Sequence, residues 1–309
     1  MDSSEKNIQD ILYCSQAGKG ALFGSAPEAT RWLLLEYRGP WGPKVLPYSS
    51  LPREVKDTLQ HLTESIAGLK VLFIKKPERR QEPNLKLFLF SNRETARMRQ
   101  YNLATHEDLL NLDLASFYEN ESASDVNSGN LFLVCTNGKR DRCCAKFGIP
   151  VYNSLCNYYG KDVWQCSHFG GHKYAPTFMH FPSGACYGRV TISDTLQAAE
   201  AILNGEILPL IYRGCTGRAK SVQAAEHLLR TELNNFRAKS VTLVHFTMGS
   251  DSRTTAVFKV DEESYEITIE TKSGPKEWSG CNKAEPTATK QHRLIAYSRT
   301  NVSSTIKAI

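Results

Sequence analysis

No apolar run in the 309 residues approaches the ~18 that a membrane-spanning helix needs. The longest are short pieces such as Leu131-Phe132-Leu133-Val134, and a mean hydropathy of −0.39 agrees, so no membrane association is expected. The opening residues, MDSSEKNIQD, are polar and of mixed charge. They lack the basic and apolar stretches of an export signal and the Arg-rich, acid-poor character of a transit peptide, and a soluble, cytoplasmic protein is predicted. A run of roughly five basic residues is also missing, so nothing focuses the formal charge of +6. Nucleic acid is therefore not an expected partner, whereas an acidic protein is. No C-x-x-C is present, which argues against a thiol oxidoreductase, and no carboxylate pair is marked for glycoside chemistry.

Cysteine, in contrast, is plentiful: there are nine, an odd number unsuited to complete internal pairing. Without an export signal the thiols are expected to stay reduced, and cysteine then serves cores or metals. With 41% hydrophobic and 23% charged residues, the chain has enough material for two or three ordinary globular domains.

Hydrophobic patterning divides the chain into three. In residues 1–125 a loose, glycine-broken lead precedes a strand at Arg31–Tyr37, a helix from Ser50 to Ile66, strands at Lys70–Ile74, Leu85–Phe90 and Arg97–Tyr101, and a short helix from Thr105 to Leu112. The helix is read from Val55, Leu59, Leu62 and Ile66 at helical spacing, with Pro52 in the first turn. Asp113 to Gly129, poor in aliphatic residues, reads as a domain boundary.

Residues 126–208 repeat the β-α-β-β-β-α order: strand 130–134, helix 145–159 with Pro150 forcing a break or a first-turn position, strand 162–166, a hairpin of 177–181 with 185–190, and helix 193–203. Residues 209–309 differ, with an amphipathic helix at 221–233 followed by strands at 240–246, 254–260, 264–271 and 292–297. The predicted class is α/β with mixed sheets: two tandem, similar domains and a C-terminal α+β extension.

Chemistry concentrates in the middle segment, in Cys135-Thr-Asn-Gly-Lys-Arg-Asp-Arg-Cys143-Cys144 and His168-Phe-Gly-Gly-His172. Cys135 ends a strand and Cys144 lies in the following helix. The two histidines share a loop after the next strand, because Gly170-Gly171 disfavours helix. Parallel strands of a β-α-β unit end at one edge, which brings the two loops together.

Two thiolates and two imidazoles suit Zn(II) or an iron–sulfur cluster. Compact zinc sites space their cysteines by ~2–4 residues. The eight between Cys135 and Cys144 suit a wider object, and two Cys with two His is the ligand set of Rieske-type [2Fe-2S] centres. Spacing selects Cys144, with Cys143 beside it as an alternative.

The strings CTNGKRDRCC, HFGGHKYAP and SGACYGRVTISDTLQAAEAIL resemble the sucrase/ferredoxin-like family, and ATRWLLLEYRGPWG and YRGCTGRAKSVQAAEHLLR extend the resemblance over most of the chain. It implies thioredoxin-like domains, the second carrying a [2Fe-2S] cluster on Cys135, Cys144, His168 and His172. The cysteines would bind one iron and the histidines the other, nearer solvent. Asn137 stands where a His is common.

The implied function is electron transfer with a redox protein partner such as a flavin reductase, rather than substrate turnover. Two ferric ions, two sulfides, two thiolates and two neutral imidazoles sum to zero charge, against minus two for a four-cysteine cluster. Reduction is therefore easier, as in Rieske centres at roughly −150 to +300 mV against about −400 mV. Ligand imidazoles also keep a second N–H, so the potential is expected to fall as pH rises.

Cys156, Cys166, Cys186 and Cys215 are read as core or surface thiols, and Cys14 as isolated. His61, His106, His180, His227, His245 and His292 are read as having structural or solvent roles. Lys139 to Arg142 is read as a solvated loop with an internal ion pair. No Cys and only His61 and His106 occur between Cys14 and Cys135, so the first repeat cannot hold the same cluster. A structural zinc module is the competing reading, and residues 210–309 carry no recognisable chemistry.

Overall fold

A computed structural model describes residues 13–92, 96–119 and 129–300. A single helical turn, α1 (Cys14–Ala17), precedes β1 (Arg31–Glu36), α2 (Val45–Tyr48), α3 (Arg53–Ser65), β2 (Leu69–Lys75), β3 (Leu85–Ser91), β4 (Arg97–Leu103) and α4 (Leu114–Glu119). Every residue of β1 is buried, as in a strand covered on both faces. In α3 the buried residues are Val55, Leu59 and Leu62, the apolar stripe that periodicity predicts.

The helix expected from Thr105 is a short 3₁₀ turn, Glu107–Asn111. It is held by the Asp108 carboxylate accepting from the backbone N–H of Ala104 and Thr105. The first six residues after Asp113, read as part of a linker, form α4 and bury Leu114, Phe117 and Tyr118. That spacing sets all three on one helical face. Residues 120–128 of the expected boundary lie outside the described residues, as do 1–12 of the lead.

The second unit comprises β5 (Leu131–Cys135), α5 (Arg142–Tyr159), β6 (Val163–Cys166), β7 (Thr177–Phe181), β8 (Ala185–Gly188) and α6 (Ile192–Leu203). Contrary to expectation, α5 runs through Pro150 without ending. Both Pro150 and Lys146, whose carbonyl loses its helical partner, are exposed, so water can satisfy that oxygen. Then follow β9 (Tyr212–Cys215), α7 (Lys220–Glu232), β10 (Val241–Met248), β11 (Arg253–Val260), β12 (Glu263–Glu277) and β13 (Thr287–Thr300). The short β9, with Gly214 inside it, is too brief to show alternation and was not anticipated.

The two units have one topology. In each, the first strand pairs parallel with the second and antiparallel with the third, giving the orders β2-β1-β3-β4 and β6-β5-β7-β8. They meet where β2 runs antiparallel to β6, through Ile74 with Cys166 and Lys75 with Gln165, so that nine strands form one mixed sheet ending at β9. Trp32, Leu34 and Phe90 from the first unit share a buried cluster with Leu133, Trp164 and Phe181 from the second.

A separate antiparallel sheet, β10-β11-β12-β13, packs its apolar face on Val222, Ala225 and Leu229 of α7. The expected mixed class with a C-terminal α+β segment is the observed one. Among the described residues no helix is long and apolar enough to cross a membrane.

Candidate metal centre

Cys135 and Cys166 are the last residues of the parallel strands β5 and β6 and are register partners. The loops after them therefore leave from one edge of the sheet, stitched by Thr136 N–H donating to the Cys166 carbonyl at 3.2 Å. In the loop after β5, Asn137 is buried and donates from its side chain to the Gly42 carbonyl at 3.1 Å, anchoring the loop to the first unit. The loop ends at Asp141, which caps α5 by accepting from Cys143 N–H at 2.9 Å. Cys144 consequently falls in the first helical turn.

Gly148, one turn further along α5, lets the helix lie on the end of β5. A Cβ there would collide with the Cys135 carbonyl oxygen. A helical glycine ordinarily costs stability; here close approach requires it.

The loop after β6 carries His168 and His172 on either side of Gly170 and Gly171, with φ of 113° and 77°, a region that favours glycine. Beneath it, buried Arg213 donates to the Gly170 carbonyl at 3.3 Å, a contact from β9 that sequence patterning missed. His168 Nδ1 lies 3.7 Å from Cys135 Sγ and 3.6 Å from Cys144 Sγ. These three donor atoms all lie within 4.8 Å of one another. His172 does not reach the thiols; its Nδ1 sits 3.2 Å from His168 Nε2. The four side chains thus stand in series, two thiols buried at the floor and two partly exposed imidazoles beyond them, their rings 4.9 Å apart and tilted by 40°.

The thiols are electrostatically unequal. A hydrogen bond from Cys144, assisted by His168, brings the Cys135 thiol down to about 5 against the opposing effect of burial. Cys144, donating to it and also buried, is pushed up. A thiolate is thereby available at the floor of the site at neutral pH, the form that binds metals. Burial, and then His168, lowers the pKa of His172, while Asp141 opposes the shift. A neutral imidazole retains a lone pair for a metal.

Cys166 is fully buried within the sheet's shared core and its thiol is pushed up by desolvation, as expected for a packing residue. Cys186 is equally buried, and Cys156 and Cys215 are partly exposed. Two expectations fail. Asp141 is buried and bonded to backbone N–H groups rather than paired within a solvated loop. Cys14 is not isolated: its Sγ lies 3.5 Å from Cys143 Sγ and 3.6 Å from Cys281 Sγ. One sequence feature carried this information. Consecutive helical residues point about 100° apart, so Cys143 leaves a different side of α5 from Cys144.

The sucrase/ferredoxin-like family model matches residues 22–214, and the chain belongs to this family. The described segment between Ala29 and Cys215 contains the whole nine-stranded sheet. Among curated proteins, the chain is similar to altered inheritance of mitochondria protein 32 of Debaryomyces hansenii, 33% identical over 100 residues. The match covers 28% of this chain and 35% of that relative's length. No solved structure matches the chain.

Proposed function

We propose that the protein is an electron carrier holding one [2Fe-2S] cluster on Cys135, Cys144, His168 and His172. The observation that carries this reading is the serial arrangement of two buried thiols and two outward imidazoles at one sheet edge. This donor set fits a diiron unit with sulfur ligands inside and nitrogen ligands outside. Such a cluster would supply one-electron chemistry at a potential raised by its neutral ligands.

The chain's own contribution is positional. The ends of β5 and β6 fix the loops, Asp141 orients the first turn of α5, and Gly170-Gly171, both at positive φ, lets the histidine loop turn tightly. Lys139 and Arg140 lie exposed on the loop beside it. They suit an acidic redox partner, such as a flavin reductase, because complementary charge speeds encounter. Nine free thiols are compatible with a reducing compartment such as the cytoplasm.

A second reading rests on the 3.6 and 3.7 Å separations of His168 Nδ1 from the thiols, close enough for a single zinc ion to bind all three donors. Anaerobic purification separates the two. A red-brown protein with two irons and two labile sulfides per chain, lost in Cys135→Ser, supports the cluster. A colourless protein whose zinc is lost in Cys135→Ser overturns it.

A further inference from the structure

A second group of donors lies on the other side of the first turn of α5. Cys143 Sγ is 3.2 Å from Cys281 Sγ and 3.5 Å from Cys14 Sγ, and the triangle closes at 3.6 Å between Cys281 and Cys14. Asp141 stands over it, with carboxylate oxygens 3.9 and 4.0 Å from Cys14 Sγ. One donor atom from each of the four residues lies within 4.8 Å of every other. Cys14, Cys143 and Asp141 are buried, and Cys281 is partly so. They come from α1, the start of α5 and the β12–β13 connection, so the chain brings together thiols up to 267 positions apart.

From this geometry we infer a structural zinc site, in which Cys14, Cys143, Cys281 and Asp141 together bind one Zn(II) ion. Tetrahedral zinc with Zn–S near 2.3 Å sets its sulfurs about 3.8 Å apart, and the observed triangle reaches this by moving each thiol a few tenths of an ångström. A polynuclear cluster would give each thiolate its own metal and spread them wider.

Three sulfurs with one hard oxygen suit borderline Zn(II), whereas Cu(I) would leave the carboxylate unused. A disulfide would join only two of the sulfurs and strand the third. Cys143 lies at the N-terminal end of an 18-residue helix, where the helix dipole favours a thiolate. Two backbone N–H groups, from Cys143 and Cys281, hold the carboxylate in place.

Only two of the site's four donors, Asp141 and Cys143, lie inside the region that the family model matches. Cys14 and Cys281 fall outside residues 22–214, which the family model matches. Its effect would be mechanical: one ion ties the segment before β1 and the β12–β13 connection to the helix that carries Cys144. The inference stands whether the neighbouring site holds iron or zinc.

The test uses the full chain, expressed with iron and zinc supplied, desalted and analysed for metals. Cysteine alkylation is mapped by mass spectrometry before and after a zinc chelator. We expect Cys14, Cys143 and Cys281 to be protected until chelation. We also expect Cys14→Ser and Cys281→Ser each to lose most of the zinc while keeping iron, and Cys135→Ser to keep the zinc while losing iron.

Equal alkylation of the three thiols with and without chelator in the wild-type protein would overturn the site, even if a variant fails to fold. So would a disulfide among them, or zinc lost only in Cys135→Ser. That last result would also overturn the iron reading, whereas loss of iron binding alone would leave the zinc site standing.

Discussion

The carboxylate of Asp141 accepts a hydrogen bond at 2.8 Å from the backbone N–H of Cys281, and its Oδ2 stands 3.9 Å from Nε2 of His172. One side chain thus caps α5, orders the β12–β13 connection and borders the imidazole side of the candidate centre. Asp141→Ala removes a helix cap, a loss of about 0.5–2 kcal/mol, and strands two backbone N–H groups, one of them on buried Cys143. Asp141→Asn keeps an acceptor and should recover part of the loss. Urea unfolding of the two variants checks this ordering, and an alanine variant as stable as wild type would contradict it.

Replacing His172 by Cys should keep the colour of the iron-loaded protein and lower its midpoint potential, because a thiolate adds negative charge where a neutral imidazole stood. Redox titration reads the shift. An unchanged potential would argue that His172 is not a ligand.

Gly148→Ala would ordinarily stabilise a helix by about 1 kcal/mol. Here the added methyl meets the Cys135 carbonyl oxygen, so α5 must move off β5 and carry Cys144 away from Cys135. The expected outcome is lower stability together with reduced metal content. Stability raised by the substitution would show that the helix does not approach the strand this closely.

Buried Glu226 lies between Arg230, at 2.8 Å, and Arg218. The two guanidinium groups hold its carboxyl below the usual range although burial pushes the other way. Glu226→Ala leaves two cations without their shared counter-charge and should cost about 3–5 kcal/mol. Chemical denaturation measures it, and a loss below 1 kcal/mol would contradict the ion-pair account.

Burial lowers the pKa of His180 to about 3 from the ordinary 6.5, and its ring nitrogens engage Ser183 at 2.8 Å and Asn130 at 3.0 Å. Between those two pKa values the unfolded chain binds a proton that the folded chain does not. Stability therefore rises with pH across this window and is lost as pH falls from 6.5 towards 3. At about 1.4 kcal/mol per unit, the loss is on the order of 5 kcal/mol. His180→Gln should flatten the dependence of the urea midpoint on pH between 6.5 and 4. An unaltered slope would assign the acid sensitivity to other groups.

The sequence alone determined the strands of both repeats and the long helices α3 and α5, because alternation and helical spacing are local properties written in consecutive residues, but it misplaced the short helix that closes the first repeat. It also marked the edge where Cys135, Cys144 and His168 meet, since parallel strands joined by a helix must end side by side. What it could not convey is how separate stretches come together. The pairing of β2 with β6 rests on only Ile74 with Cys166 and Lys75 with Gln165. The meeting of Cys14, Cys143 and Cys281 depends on where a terminal turn and a distant hairpin connection settle. Such contacts follow from burying the surfaces of whole elements against one another, an energy that no short window of residues contains, and only the tertiary structure decides them.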